Sequence, residues 1–147
     1  EGTDTMEEDL KKLYDEGKKA FGFYCGKGEW FLLTLKNIDF MSQMLPDVSK
    51  ASQSLDVSVL HTLILEKIFG IDKENMAKQI NLTYTKFFTE AIDGVDKGEF
   101  QCSFVLNPTR VTEIRDVAAA GEKMPQKSTY FYPKMFTGMV MNNLGVD

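Results

Sequence analysis

Thiols and imidazoles are scarce in this chain, whose 147 residues include two Cys and one His. Cys25 and Cys102 lie far apart, each inside an apolar run and neither in a CxxC pair. Together with His61 they fall short of the four ligands a structural zinc site needs. Two reduced core thiols are the expected state, with a disulfide or redox pair as the alternative, because unpaired cysteine is among the most buried residue types. Reduced thiols, and acidic polar first residues in place of a secretory leader, lead to the expectation of a cytoplasmic protein. Four Pro and 11 Gly exclude collagen-like and low-complexity chains. No stretch approaches the ~20 apolar residues of a membrane span. Positive charge is also in deficit, 17 basic against 22 acidic residues, for a net charge of −5. Such a field repels phosphate backbones and anionic lipid heads, so neither nucleic acid nor a membrane surface is expected as a partner.

What is present is a core. With 43% hydrophobic and 12% aromatic residues, a chain of this length buries roughly 68–70% of its unfolded surface without metal or disulfide support. No linker divides it, so residues 1–147 are read as one domain, an N-terminal helix over 1–18 and a core over 19–147. The chain opens on Glu1 rather than Met, which leads to the expectation of a piece of a longer protein or a processed one.

Thr5 and Glu8 have capping-box spacing, and Met6, Leu10, Leu13 and Tyr14 follow a helical period up to Gly17. Ala20–Cys25 and Trp30–Lys36, separated by Gly26, Lys27, Gly28 and Glu29, are the signal of a β-hairpin. A short helix over Asp39–Leu45 precedes a polar connection, Asp47–Gln53. Val57–Phe69 reads as a mostly buried helix, apolar around much of its circumference, with Asp56 as its cap and Gly70 after it. Asp72 caps a brief helix through Lys78. Ile80–Tyr84 alternates as a strand, Phe87–Gly98 reads as a helix, and Phe100–Leu106 alternates again. Asn107 and Pro108 open a helix with Val111, Ile114, Val117 and Ala118 inward and Gly121 at its end. Gly138–Met141 supplies a last strand. The fold class expected is mixed α/β, about five strands covered by helices, with the crossover connections making part of the sheet parallel.

The most distinctive stretch is Gly121-Glu-Lys-Met-Pro-Gln-Lys-Ser-Thr-Tyr-Phe-Tyr-Pro-Lys134. Lys127, Lys134, Ser128 and Thr129 offer cations and hydroxyl donors suited to phosphate or carboxylate, and Tyr130 and Tyr132 offer faces for a planar or cationic group. Its likeness to a P-loop fails, because Gln126 replaces the second glycine, Pro125 removes an N–H, and a helix precedes where a strand belongs. Asn107 and Thr109, at a helix start leaving a strand, add donors, with Arg110 close by. A plain structural loop, aromatics packed down and lysines solvated, accounts for the same residues as well. His61 lies on an apolar helix side and reads as a neutral core imidazole ahead of a general base, and Asp56 as a cap. No carboxylate pair, nucleophile elbow or dinucleotide fingerprint is present, so a self-contained hydrolase or dehydrogenase is poorly supported and the cofactor is left open.

Leu55-Asp-Val-Ser-Val-Leu-His61, Phe104-Val-Leu-Asn-Pro-Thr109, the stretch Met124–Lys134 and Gly138 resemble, in order and spacing, the C-terminal part of the bacterial and archaeal family called domain of unknown function 1015. Gln126 departs from that pattern, where a second proline often occurs. The resemblance implies a further N-terminal half with an Asp-Gly-His-His-Arg motif similar to that of kinases for free serine. It follows that this domain pairs with its own N-terminal half and contributes an anion-binding face for a small phosphorylated or carboxylate ligand, in phosphoryl transfer completed by that half. A non-catalytic interaction or homodimerisation module is the alternative.

Overall fold

A computed structural model describes residues 4–130 of the chain. The helix α1 (Asp4–Asp15) leads into a hairpin of β1 (Ala20–Tyr24) and β2 (Trp30–Thr34). The short helices α2 (Phe40–Met44), α3 (Lys50–Gln53) and α4 (Asp56–Val59) follow, and α4 runs directly into a π-helical segment, π1 (Leu60–Glu66). After α5 (Lys73–Lys78) and α6 (Phe88–Asp96) come β3 (Ser103–Val105) and α7 (Val111–Ala119).

The hairpin turn passes through Gly26, Lys27 and Gly28, all at positive φ, the region glycine enters without steric penalty. Tyr24 locks this turn: its hydroxyl donates to Asp96 Oδ1 at 2.6 Å and accepts from Gly28 N at 3.0 Å. Alternation along β1 divides the core. Ala20 and Tyr24 pack with Met6 and Leu10 of α1 and with Ile92 and Val95 of α6. On the other face, Phe21 packs with Met41, Val59, Leu60, Leu65 and Met76. Gly22 lies where α1 crosses the strand, and a Cβ there would meet Met6 Sδ at 2.5 Å.

The mixed α/β class is observed, with three strands among the described residues instead of about five, in the order β2-β1-β3. Both pairings are antiparallel, so the expected parallel crossovers are absent there. Residues 80–84 form no strand. Gln79 ends α5 in the left-handed region and Asn81 follows at φ 58°, a conformation that breaks the extended path. Ile80 is consequently 45% exposed, while Leu82 packs into the second core. The alternation there records two loop residues packing inward, not a ladder. The expected strand Gly138–Met141 lies outside the described residues.

Helix α7 begins later than its Pro signal. Arg110 is its cap, Glu113 Oε2 accepts from Arg110 N at 2.9 Å, and Val111, expected inward, is 79% exposed. The polar connection before Leu55 contains α3, capped by Ser49, whose hydroxyl accepts from Ser52 N. Asp72 caps α5 by accepting from Asn75 N at 2.8 Å, as its spacing predicts. Among the described residues no helix is long and apolar enough to cross a membrane.

Candidate functional site

A cavity of about 490 Å³ opens between π1, α5 and the loop after α7. Ser58, His61, Thr62 and Glu66 wall one side, Lys73 and Met76 another, and Tyr84, Lys123, Pro125 and Gln126 line it as well. The wide winding of π1 matters to this wall. An α-helix turns residue i+5 about 140° away from residue i. Winding at i→i+5 returns it to the same side, and His61 and Glu66 accordingly face one space.

His61 is half-buried, and loss of solvent lowers its pKa from 6.5, so the ring is neutral. Tyr84 meets it edge-on at 6.3 Å between centroids. No described residue hydrogen-bonds the imidazole. Burial raises the Tyr84 phenol above its ordinary pKa, so it is a neutral donor. Lys73 and Lys123 are exposed at the rim.

Glu122 holds the lining loop in place. Its carboxylate accepts from Ser49 N and Ser49 Oγ, each at 2.7 Å, and from Ser52 Oγ. Those bonds, Ser52 first, keep its pKa below 4.5. The loop is thereby stitched to the start of α3, and Glu122 is committed as an anchor while Lys123 stays exposed.

The residues singled out from the sequence divide into three places. Around the α7 start, Asn107 Nδ2 donates to the Leu10 carbonyl at 3.0 Å, and Thr109 Oγ1 donates to the Ser128 carbonyl at 2.8 Å. Ser128 Oγ donates to the Pro125 carbonyl at 2.6 Å. Asn107 thus ties the chain to α1 where a helix cap was expected. Thr129 is half-buried, and Lys127 is exposed at φ 59°. Tyr130 receives the Lys86 ammonium, which donates to its hydroxyl at 3.0 Å and sits 4.3 Å from its ring centre. Lys134 and Tyr132 lie outside the described residues.

Asp56 belongs elsewhere. It is the first residue of α4, with Leu55 at the cap position, and Lys19 Nζ stands 2.9 Å from its Oδ1 and 3.3 Å from Glu113 Oε1. Burial raises the Asp56 carboxyl while Lys19 pulls it back. Arg110 extends this network to α1, donating to the Tyr14 carbonyl at 2.7 Å with its guanidinium 3.8 Å from the Tyr14 ring centre. Of the sequence candidates among the described residues, only His61 lines the cavity. Lys73, Glu66 and Tyr84 carried no motif, since they meet only through tertiary packing.

No known family model, curated protein or solved structure gives a significant match to this chain. The resemblance to domain of unknown function 1015 stays an expectation drawn from three sequence motifs. Two of them bound this cavity: the first supplies Ser58 and His61, the third Pro125 and Gln126. Among the described residues no group of three or more His, Cys, Asp or Glu is arranged to hold a metal.

Proposed function

We propose that the His61 cavity is the binding site for a small anionic molecule, a phosphorylated or carboxylate metabolite. The observation that carries this reading is the lining itself. A concave space in the size range of small-molecule sites combines a neutral imidazole, hydroxyls from Ser58, Thr62 and Tyr84, and two rim lysines. The lysines supply charge attraction, and the neutral imidazole and phenol supply directional hydrogen bonds without a competing fixed charge. Glu66 is the opposing acid, suited to a hydroxyl or ammonium on the same ligand. In this reading the domain supplies the binding half of a small-molecule enzyme and an N-terminal half of the kind the motif resemblance implies supplies phosphoryl transfer. Lys127, Ser128 and Thr129 continue the same loop, and in this reading they belong to the face that meets that partner.

The test is titration of the chain with inorganic phosphate, phosphoserine, ATP and citrate, followed through the His61 ring proton. One of them should shift that resonance saturably, and Lys73→Ala and Lys123→Ala should each weaken the interaction several-fold. Absence of any shift, or equal binding by both variants, defeats the reading.

A second reading, an interaction or dimerisation module, is favoured by a row of phenylalanines on one sheet face. Phe23 stacks against Phe31 at 6.3 Å and Phe104 at 5.0 Å, and Phe69 meets Phe104 at 5.8 Å. Phe31 and Phe69 are about half exposed. Concentration-dependent mass in solution, abolished by Phe31→Ser, is its signature.

A further inference from the structure

We propose that Cys25 and Cys102 are an oxidisable pair that closes into a disulfide, stapling β1 to β3 at the end of their ladder. The register carries the argument. Gly22, Phe23 and Tyr24 pair with Val105, Phe104 and Ser103, so the next opposed positions are 25 and 102. Side chains alternate along a strand, and the ring contact of Phe23 with Phe104 at 5.0 Å fixes which face positions 25 and 102 share. Directly opposed residues of an antiparallel pair hold their Cβ atoms roughly 4.5–5.5 Å apart. A disulfide needs about 3.5–4.5 Å. The remaining approach is of the order that a ladder end, followed at once by the Gly26 turn, accommodates.

A second observation agrees with this placement. The Cys102 thiol is held above its ordinary pKa by burial and, after that, by the charge of Cys25, an influence that requires the two sulfurs to be neighbours. Their exposures differ in a useful sense: Cys25 is exposed and Cys102 is half-buried. Cys25 Sγ has only a weak contact, 3.6 Å to the Glu29 carbonyl, so little holds it back.

The oxidant is a peroxide. The Cys25 thiolate attacks one peroxide oxygen, the O–O bond breaks, and Cys25 becomes a sulfenic acid as hydroxide leaves. The Cys102 sulfur, losing its proton, attacks the Cys25 sulfur, the S–O bond breaks and water departs. Two thiols and one hydrogen peroxide yield one disulfide and two waters, and a dithiol reductant reverses the change.

The experiment exposes the 147-residue chain to hydrogen peroxide, blocks remaining thiols with an alkylating agent and maps peptides without reduction. The expected result is a monomer lighter by about 2 Da with a linked peptide joining Cys25 to Cys102, restored by dithiothreitol. In Cys102→Ser the sulfenic acid should persist at Cys25 and react with dimedone, and in Cys25→Ser no internal link should form. A dimer joined through Cys25, or sulfinic acid at Cys25 with Cys102 still free to alkylate, overturns the proposal, and this readout on the unsubstituted chain does not depend on either variant folding.

Discussion

Two glycines pose nearly the same steric problem and should give opposite outcomes on substitution by alanine. A Cβ at Gly22 would lie 2.5 Å from Met6 Sδ, 3.0 Å from Met6 Cγ and 3.3 Å from Leu10 Cδ1. A Cβ at Gly94 would lie 2.7 Å and 2.8 Å from two ring carbons of Phe100. The neighbours differ in freedom. Met6 is 0% exposed and Leu10 2%, both wedged between α1 and the sheet, so relief demands that α1 lift from β1. Phe100 is 40% exposed, and its ring can swing towards solvent. Overpacking of a closed core costs about 1–3 kcal/mol, and the loss of backbone freedom in the unfolded chain returns less than about 1 kcal/mol. Gly22→Ala should therefore destabilise by about 1–2 kcal/mol, a fall in Tm of about 2–8 °C for a domain of this length. At Gly94, within α6, alanine gains about 1 kcal/mol in helix propensity against a small cost of moving the ring, so the change should stay within about 0.5 kcal/mol. Urea unfolding followed by far-UV circular dichroism measures both. Combining Gly22→Ala with Met6→Ala tests the cause, because the new methyl then fills space the truncation vacates, and the pair should be less damaging than the sum by at least about 1 kcal/mol. Strict additivity, or a Gly94→Ala variant as impaired as Gly22→Ala, refutes the reasoning.

His61 is the only histidine, so its ring proton is assigned without ambiguity. Since burial lowers its pKa from 6.5, the stability it contributes is present above pH 6.5 and lost as pH falls through the folded value. An NMR titration midpoint at or above 6.5 contradicts the burial argument. Replacing Lys19 by Met leaves Asp56 and Glu113 facing each other without their shared cation at pH 7.5, at a cost of about 1–3 kcal/mol in urea unfolding. The Asp56 pKa is raised in the fold and should rise further in this variant, so the missing stability returns as pH falls through that value, and a deficit equal at pH 7.5 and 4.5 counts against the pair. Glu122 is depressed in the fold, so its share of stability is present above pH 4.5 and lost below as its folded value is passed. Glu122→Gln should flatten that acid limb of the unfolding curve, and an unchanged slope removes the anchoring role.

Local chemistry made part of this molecule legible. The hairpin, α1, and α5 with its Asp72 cap follow from patterns complete within a dozen residues. Longer-range features were hidden. The alternation at 80–84 reads as a strand because periodicity reports which residues point inward and not whether a neighbouring strand exists. The segment Asp47–Gln53 looked featureless since α3 is held by Glu122, some seventy residues away. Asn107 has the chemistry of a cap, but α1 supplies a carbonyl for it first. At the site, His61 was visible as a lone imidazole. Its relation to Glu66 was not, because helix rules search three and four residues away and π1 sets the useful spacing at five.

That winding also decides what a one-residue deletion would do within 60–66. A π turn holds about one residue more than an α turn, so removal of one residue between His61 and Glu66 would let the segment tighten to ordinary α geometry, with the two side chains four apart and again on one side. Ile71 and Met76 would keep their places in the second core. The same deletion inside α6, which has no surplus residue to give up, would rotate all that follows by about 100° and present its faces to the wrong neighbours.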